Sequence, residues 1–299
     1  MLLGQLVNAI ILGSLYLMFA LGLSLSWGVL KVLNLAHGSI FMFGAFSAYL
    51  VTRDIAPDLP LWLLVILAAV VGALLSLLLQ VLVFRPIMQR AADQHAAELA
   101  ILIASIGASL IPIAFALNLA KAEVVNLPMA ITQTPIHQFA GITISDLQIT
   151  IIAVGIVSTL ALWWWVSRTQ GGRALRTIAQ DPRTAELLGI PVARMSALTM
   201  VVSGALAGAA GILLAANSNA IDAHMGDNLL LKAFAVIILG GVGSIPGAAL
   251  GAFVLAFAET AAVVFVSGSL RDAIAFALIL IVLLVRPQGL FGEKVWKRA

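Results

Sequence analysis

Residues 1–30 carry no charged side chain, and apolar runs of similar length recur along the rest of the chain. A helix of about 20 apolar residues crosses the hydrocarbon core of a bilayer. Of the 299 residues, 62% are hydrophobic and only 10% charged, with a mean hydropathy of +1.13. Lipid, not water, is therefore the main solvent this sequence is written for. The first run lacks the basic leading region of a secretory signal peptide and reads as a retained span.

Residues 2–30 and 32–52 make the first two spans, the second holding only His37 as an ionisable group. Residues 59–84 make the third, ending at Arg85 and Pro86. Residues 99–120 make the fourth, with Pro112 inside it, which membrane helices tolerate where neighbours satisfy the freed carbonyl. Residues 121–146, with Pro128, Pro135 and Gly141, read as a loop outside the bilayer. Residues 147–166 and 195–216 make the fifth and sixth spans, the fifth closed by the interfacial anchor Trp163, Trp164 and Trp165. Residues 228–258 are interrupted by Gly240-Gly241-Val242-Gly243-Ser244-Ile245-Pro246-Gly247, giving a short helix, a break and a longer helix, and 273–285 close the set. The expected fold is an all-α polytopic membrane helical bundle of eight to nine spans with broken helices, in one domain covering 1–299.

Lys and Arg mark the inner face of a membrane protein. Residues 168–194 carry Arg168, Arg173, Arg176, Arg183 and Arg194 against Asp181 and Glu186, a net +3; residues 121–146 carry Lys121 against Glu123 and Asp146, a net −1. The first segment is expected inside and the second outside, with the N-terminus out and the C-terminus in. The overall net charge of +3 is explained by such loops, since no basic face with interleaved aromatics points to nucleic acid. Cysteine is absent, which excludes disulfides and thiolate metal sites. Small residues at i, i+4 spacing, Gly204 and Gly208 and again Gly243, Gly247 and Gly251, suit close helix packing.

The inside loop, 168–195, is punctuated like two short helices. Asp181 can cap a helix whose first residue is Pro182, Gly189 can supply the left-handed residue that ends it, and Pro191 forbids continuation. Two turns are unstable alone in water and must dock on something. Ala185, Leu187 and Leu188 offer an apolar surface among charges, suited either to the cleft of a cytoplasmic partner or to the parent bundle.

The run Gly172-Arg173-Ala174-Leu175-Arg176-Thr177-Ile178-Ala179-Gln180-Asp181-Pro182-Arg183-Thr184-Ala185-Glu186-Leu187-Leu188-Gly189-Ile190-Pro191 resembles the cytoplasmic coupling segment of LivH-type permeases, the membrane subunits of branched-chain amino acid ABC importers. Three further runs resemble the same family in the expected order: Asn34-Leu35-Ala36-His37-Gly38, Leu239-Gly240-Gly241-Val242-Gly243-Ser244-Ile245-Pro246-Gly247, and Arg286-Pro287-Gln288-Gly289-Leu290-Phe291-Gly292. The resemblance implies a plasma (cell inner) membrane subunit that lines a translocation pathway and binds no cofactor itself. Its implied partners are a second, LivM-like permease subunit, two cytoplasmic ATPase subunits that use ATP, and a periplasmic substrate-binding protein. It also implies that Arg173, Arg176, Asp181, Pro182, Glu186, Leu187 and Gly189 belong to the ATPase-coupling segment. The chain has no phosphate loop, and no Gly-Lys pair occurs in it. Amides, urea or aromatic acids are alternative cargoes within related systems.

Ionisable groups at membrane depth are costly and invite a functional hypothesis. Asn34 and His37 share one face if that segment is helical, either lining a path or bonding neighbouring helices. Lys232 and Glu259 flank the glycine-rich break and meet if the segment folds back as a hairpin, although Lys232 can also snorkel to an interface. Asn34, His37, Gly38, Lys232, Gly241, Gly243 and Glu259 are the candidates for the translocation pathway, because paired breaks in opposite halves of a transporter flank its substrate route. An ion-coupled secondary transporter shares these features but needs no capped cytoplasmic helix. An intramembrane enzyme is disfavoured: no Ser/His pair, His-Glu-x-x-His motif or paired carboxylates stand at catalytic spacing.

Overall fold

The computed structural model describes residues 2–132, 134–139, 142–266, 268, 271–286 and 289–290. Its helices are α1 (Leu2–Leu30), α2 (His37–Asp54), α3 (Leu61–Leu79), α4 (Arg85–Arg90), α5 (Gln94–Ala120), α6 (Met129–Thr132), α7 (Asp146–Arg168), α8 (Gln170–Gln180), α9 (Pro182–Leu187), α10 (Val192–Ser218), α11 (Met225–Gly240), α12 (Ile245–Phe265) and α13 (Arg271–Val285). A π-helical turn, Gln80–Phe84, joins α3 to α4. Six stretches among the described residues are long and apolar enough to cross a bilayer: α1, α3 through α4, α5, α7, α10 and α12. Helices α2, α11 and α13 have 18, 16 and 15 residues and are shorter than these.

The loop at 121–146 departs from the all-helical expectation. It holds α6 and a two-stranded antiparallel hairpin, β1 (Ile136–Phe139) and β2 (Ile142–Ser145), with Ile136 opposite Ser145 and Phe139 opposite Ile142. Ile142, Thr143 and Ile144 are β-branched and suit a pleated surface, a period-2 signal hidden among turn residues.

Burial divides the helices into a centre and a belt. The apolar windows of α1 and α10 are 72% and 61% buried, against 22%, 22% and 17% for α3–α4, α5 and α7. Exposed Ile66, Val70, Leu74 and Leu78 run along one face of α3, and Ile103 and Leu110 project from α5. Such surfaces are stable only against lipid or another apolar chain.

The centre is built from two similar halves running in opposite directions. Helix α1 ends on the side where Lys31 Nζ donates to the Gln180 carbonyl at 3.4 Å, and α10 begins on that side, directly after α9. Both helices stop at a non-glycine residue in the left-handed region, Lys31 (φ 55°) and Asn219 (φ 47°). The chain then turns back into the bundle, and a new helix starts at depth. His37, the first residue of α2, places Nε2 3.2 Å from the Phe19 carbonyl, eleven residues or roughly 16 Å before the end of α1. Gly226, at the start of α11, lies against Gly38. The two largest helix interfaces are α10 on α3 and α1 on α12, so the long helix of each half packs on the third helix of the other.

Small residues make these crossings possible. A Cβ added at Gly208 would overlap the Ala68 carbonyl, whereas one added at Gly107 would meet nothing within 4 Å. Gly208→Leu is expected to forfeit about 3 kcal/mol or more through overpacking and backbone displacement, abolishing the monodisperse peak of the detergent-solubilised protein on size exclusion. Gly107→Leu should retain that peak, and equal behaviour of the two variants would contradict this packing.

Candidate functional site

The segment after α7 folds as two short helices bent at Asp181. Thr169 opens α8 by accepting from the Gly172 amide, and Asp181 both closes α8 and caps α9, accepting from the Arg183 amide at 2.9 Å and from the Thr184 hydroxyl at 2.6 Å. The Thr184 hydroxyl, followed by the Arg183 amide, holds the Asp181 carboxyl below the usual carboxylate range. That cap is complete at neutral pH and is lost only as pH falls through the lowered value. Pro182 is the first residue of α9, and Gly189 (φ +79°) follows its end.

This pair of helices is sided. Gly172, Leu175 and Ile178 bury one face of α8. The Arg176 guanidinium donates to the Val166 carbonyl, fastening α8 to the end of α7, while Arg173 is exposed. Ala185 is fully buried, so it belongs to the bundle side and not to the outward surface expected of it. Leu187 and Leu188 are 88% and 69% exposed, next to exposed Glu186. An apolar side chain that open to water on a helix of six residues gains nothing for its own fold.

A second constellation lies at membrane depth. Glu259 of α12 is fully buried, with Oε1 2.9 Å from Lys232 Nζ of α11 and Oε2 2.6 Å from Arg271 Nε of α13. Tyr16 of α1 donates its hydroxyl to Glu259 Oε2 at 2.8 Å. The Tyr16 hydroxyl oxygen in turn accepts from Lys232 Nζ at 3.3 Å and Arg271 Nη2 at 3.0 Å, and the Lys232 ammonium stands 5.6 Å from the Tyr16 ring centre. Four helices thus share one network. The sequence pointed to Lys232 and Glu259 but not to Tyr16 or Arg271. Tyr16 is hidden in an uncharged run; Arg271, two residues ahead of the last apolar segment, was a legible cue to a third charge.

The remaining pathway candidates divide between two places. Asn34 and His37 are fully buried, but the helix begins only at His37. Asn34 therefore sits in the preceding turn, not on a shared helical face, and its Oδ1 accepts from the Ala36 amide at 3.1 Å. The His37 ring packs on Phe19 with centres 4.6 Å apart. Gly38 meets Gly226, so the break opposite it is residues 219–224, which the sequence did not flag. Gly241 (φ +99°) and Gly243 (φ +78°) form the α11–α12 turn instead, where Gly243 lies against Gly28 and Gly289 folds back over Gly241. A crevice joins this turn to Leu175 and Arg176 of α8.

A lipid-facing bundle of two opposed broken halves, with a buried charge network and a fastened helix pair on one side, defines a polytopic membrane permease. The family model described as "Branched-chain amino acid transport system / permease component" matches residues 5–283. The high-affinity branched-chain amino acid transport system permease protein LivH of Salmonella typhimurium is 32% identical over 300 residues, covering 97% of this chain and 95% of that protein. Its counterpart BraD of Pseudomonas aeruginosa is also 32% identical, with the same coverage. The chain belongs to this permease family. Among solved structures, PsaBC from Streptococcus pneumoniae in complex with Fab shares the fold, with a TM-score of 0.52 at 17% identity over 97% of this chain and 93% of that one.

The network implies an order of stabilities. Glu259→Leu removes the carboxylate that two buried cations share and is expected to cost about 3–5 kcal/mol, whereas Tyr16→Phe removes one hydroxyl and should cost about 1–2 kcal/mol. Thermal midpoints of the purified variants in detergent read this order. A Glu259→Leu variant as stable as the parent would show that the carboxylate is not integral to the fold.

Proposed function

We propose that this chain is one membrane-spanning subunit of a binding-protein-dependent ABC importer and forms part of the pathway for branched-chain amino acids. The observation that carries the coupling role is the exposure of Leu187 and Leu188 on a capped helix whose other side is fastened to the bundle. A two-turn helix with its apolar tip in water fits the cleft of a cytoplasmic nucleotidase. Closure of paired ATPases would then move α9 as a rigid handle and, through α8, the ends of α1 and the α11–α12 turn, switching access between the two sides.

In this reading α9 faces the cytoplasm, as the net +3 of residues 168–194 favours, and the N-terminus faces outward. A cell inner membrane location follows, with eight or nine crossings depending on how the two broken segments are counted. A second permease subunit completes the pathway, and a periplasmic binding protein delivers and selects the cargo. The branched-chain assignment draws on the names of LivH and BraD. Asn34, His37, Gly38, Lys232 and Glu259 are the residues we assign to the route, with Gly241 and Gly243 as its hinge.

Leu187→Asp combined with Leu188→Asp, Glu186→Lys, or Gly189→Trp should each lower ATP-dependent leucine uptake by proteoliposomes at least ten-fold and strip the ATPase subunits from the tagged chain during purification. Membrane insertion should be unchanged. Uptake that persists in ATP-free, ion-energised vesicles containing this chain alone would instead identify a secondary transporter.

A further inference from the structure

The end of the bundle opposite α9 holds a cavity of about 370 Å³ that reaches down to the buried network. Gln5 and Asn8 from the first turns of α1, Gln148 from the start of α7 and Asn217 from the end of α10 form its upper wall, and Glu259, Thr260 and Arg271 line its lower part. Ile11, Leu12 and Val263 supply an apolar side. The volume is at the small end of ligand sites, which run from about 300 to 1,000 Å³. Four carboxamides and two charged groups thus converge on one space.

The orientation of Arg271 is informative. Its Nε–H is spent on Glu259 and one Nη2–H on Tyr16. A guanidinium has five N–H donors in one plane. The edge formed by Nη1 and the second Nη2–H is thus left over, and its side chain is 33% exposed. That edge has the spacing of a carboxylate, and Glu259 and Tyr16 hold it rigid. The carboxamides of Gln5, Asn8 and Asn217 bond to no other group among the described residues and present oxygens suited to an ammonium group.

We propose that this outer cavity is a transit site for a zwitterionic amino acid. The Arg271 edge takes the α-carboxylate, the carboxamide oxygens of Gln5, Asn8 and Asn217 take the α-ammonium, and Ile11, Leu12 and Val263 receive the aliphatic side chain. The assignment rests on the importer reading above and adds to it a recognition site within the membrane subunit itself. The pocket reads the backbone of the amino acid and offers the side chain only an apolar wall, so it discriminates head groups strongly and leucine, isoleucine and valine weakly.

The test uses the importer isolated through a tag on this chain with its co-purifying subunits, placed in lipid nanodiscs without the binding protein. L-[³H]leucine binding by scintillation proximity should saturate. L-valine should compete within about ten-fold of L-leucine, whereas leucinol, which lacks the carboxylate, and 4-methylpentanoate, which lacks the ammonium, should compete at least 30-fold more weakly. Asn8→Leu with Asn217→Leu, at two exposed positions that leave the fold intact, should weaken leucine at least ten-fold. Arg271→Lys, which keeps the charge but removes the planar edge, should narrow the preference for leucine over leucinol. Saturable binding that these variants leave unchanged, equal competition by leucinol, or no binding at all overturns the site. ATP-dependent leucine uptake by the same preparation with its binding protein separates the two readings: if the wild type imports leucine while binding fails these criteria, the importer stands and the cavity site falls. If the wild type imports none, both fall.

Discussion

A bilayer interior supplies no water to satisfy a broken helix, so every interruption in this bundle has to be sealed by protein. That constraint accounts for the opposed halves. The turns after α1 and α10 leave backbone groups at depth, and the re-entering segments are sealed by packing: Gly38 meets Gly226 of the other half and His37 bonds the Phe19 carbonyl of its own, while Ser203 of α10 ties the halves by donating to the Gly22 carbonyl of α1 at 2.7 Å. Glycine is required at the crossing because a Cβ on Gly38 or Gly226 would strike the carbonyl of the other. Even the Leu35 amide in the first break finds a partner, the Ser105 hydroxyl of α5 at 3.1 Å.

The charge network obeys the same rule in electrostatic form. One carboxylate at zero exposure would be prohibitive alone, and a single cation beside it would leave lone pairs unmet. Two cations from different helices and a tyrosine hydroxyl fill those positions, so the energy that offsets desolvation depends on α1, α11, α12 and α13 keeping their relative placement. A network distributed over four helices is rigid only while they move together, which makes it sensitive to any shift between the halves.

Much of this was legible in the sequence where chemistry is local. Asp181, Pro182 and Gly189 specify the ends of α9 within a few residues, and the glycine-rich run at 240–247 specifies the α11–α12 turn. The second break, residues 219–224, escaped because it has neither Gly nor Pro; Asn219 adopts the left-handed conformation and Asp222 stabilises the turn by accepting from the His224 amide at 2.7 Å. The hairpin at 136–145 escaped because four-residue strands give too few alternations to stand out from a loop. Tyr16 and Arg271 lie 255 residues apart, and only the folded packing of α1 on α12 and α13 on α12 brings them to one carboxylate.

The division of labour along α8 and α9 follows from how little these helices bury. Eleven residues of α8 hold on through three small or aliphatic contacts and the Arg176 bond to the end of α7, while six residues of α9 hold on chiefly through Ala185. The bond to Val166 fastens α8 to the end of α7, and α8 also contacts α1. Inward of the exposed leucines, α8 borders the turn at Gly241 and Gly243, whose positive φ angles and close approach to Gly28 leave no bulk to repack. The network at Glu259 then ties the two helices joined at that turn, α11 and α12, to α1 and α13.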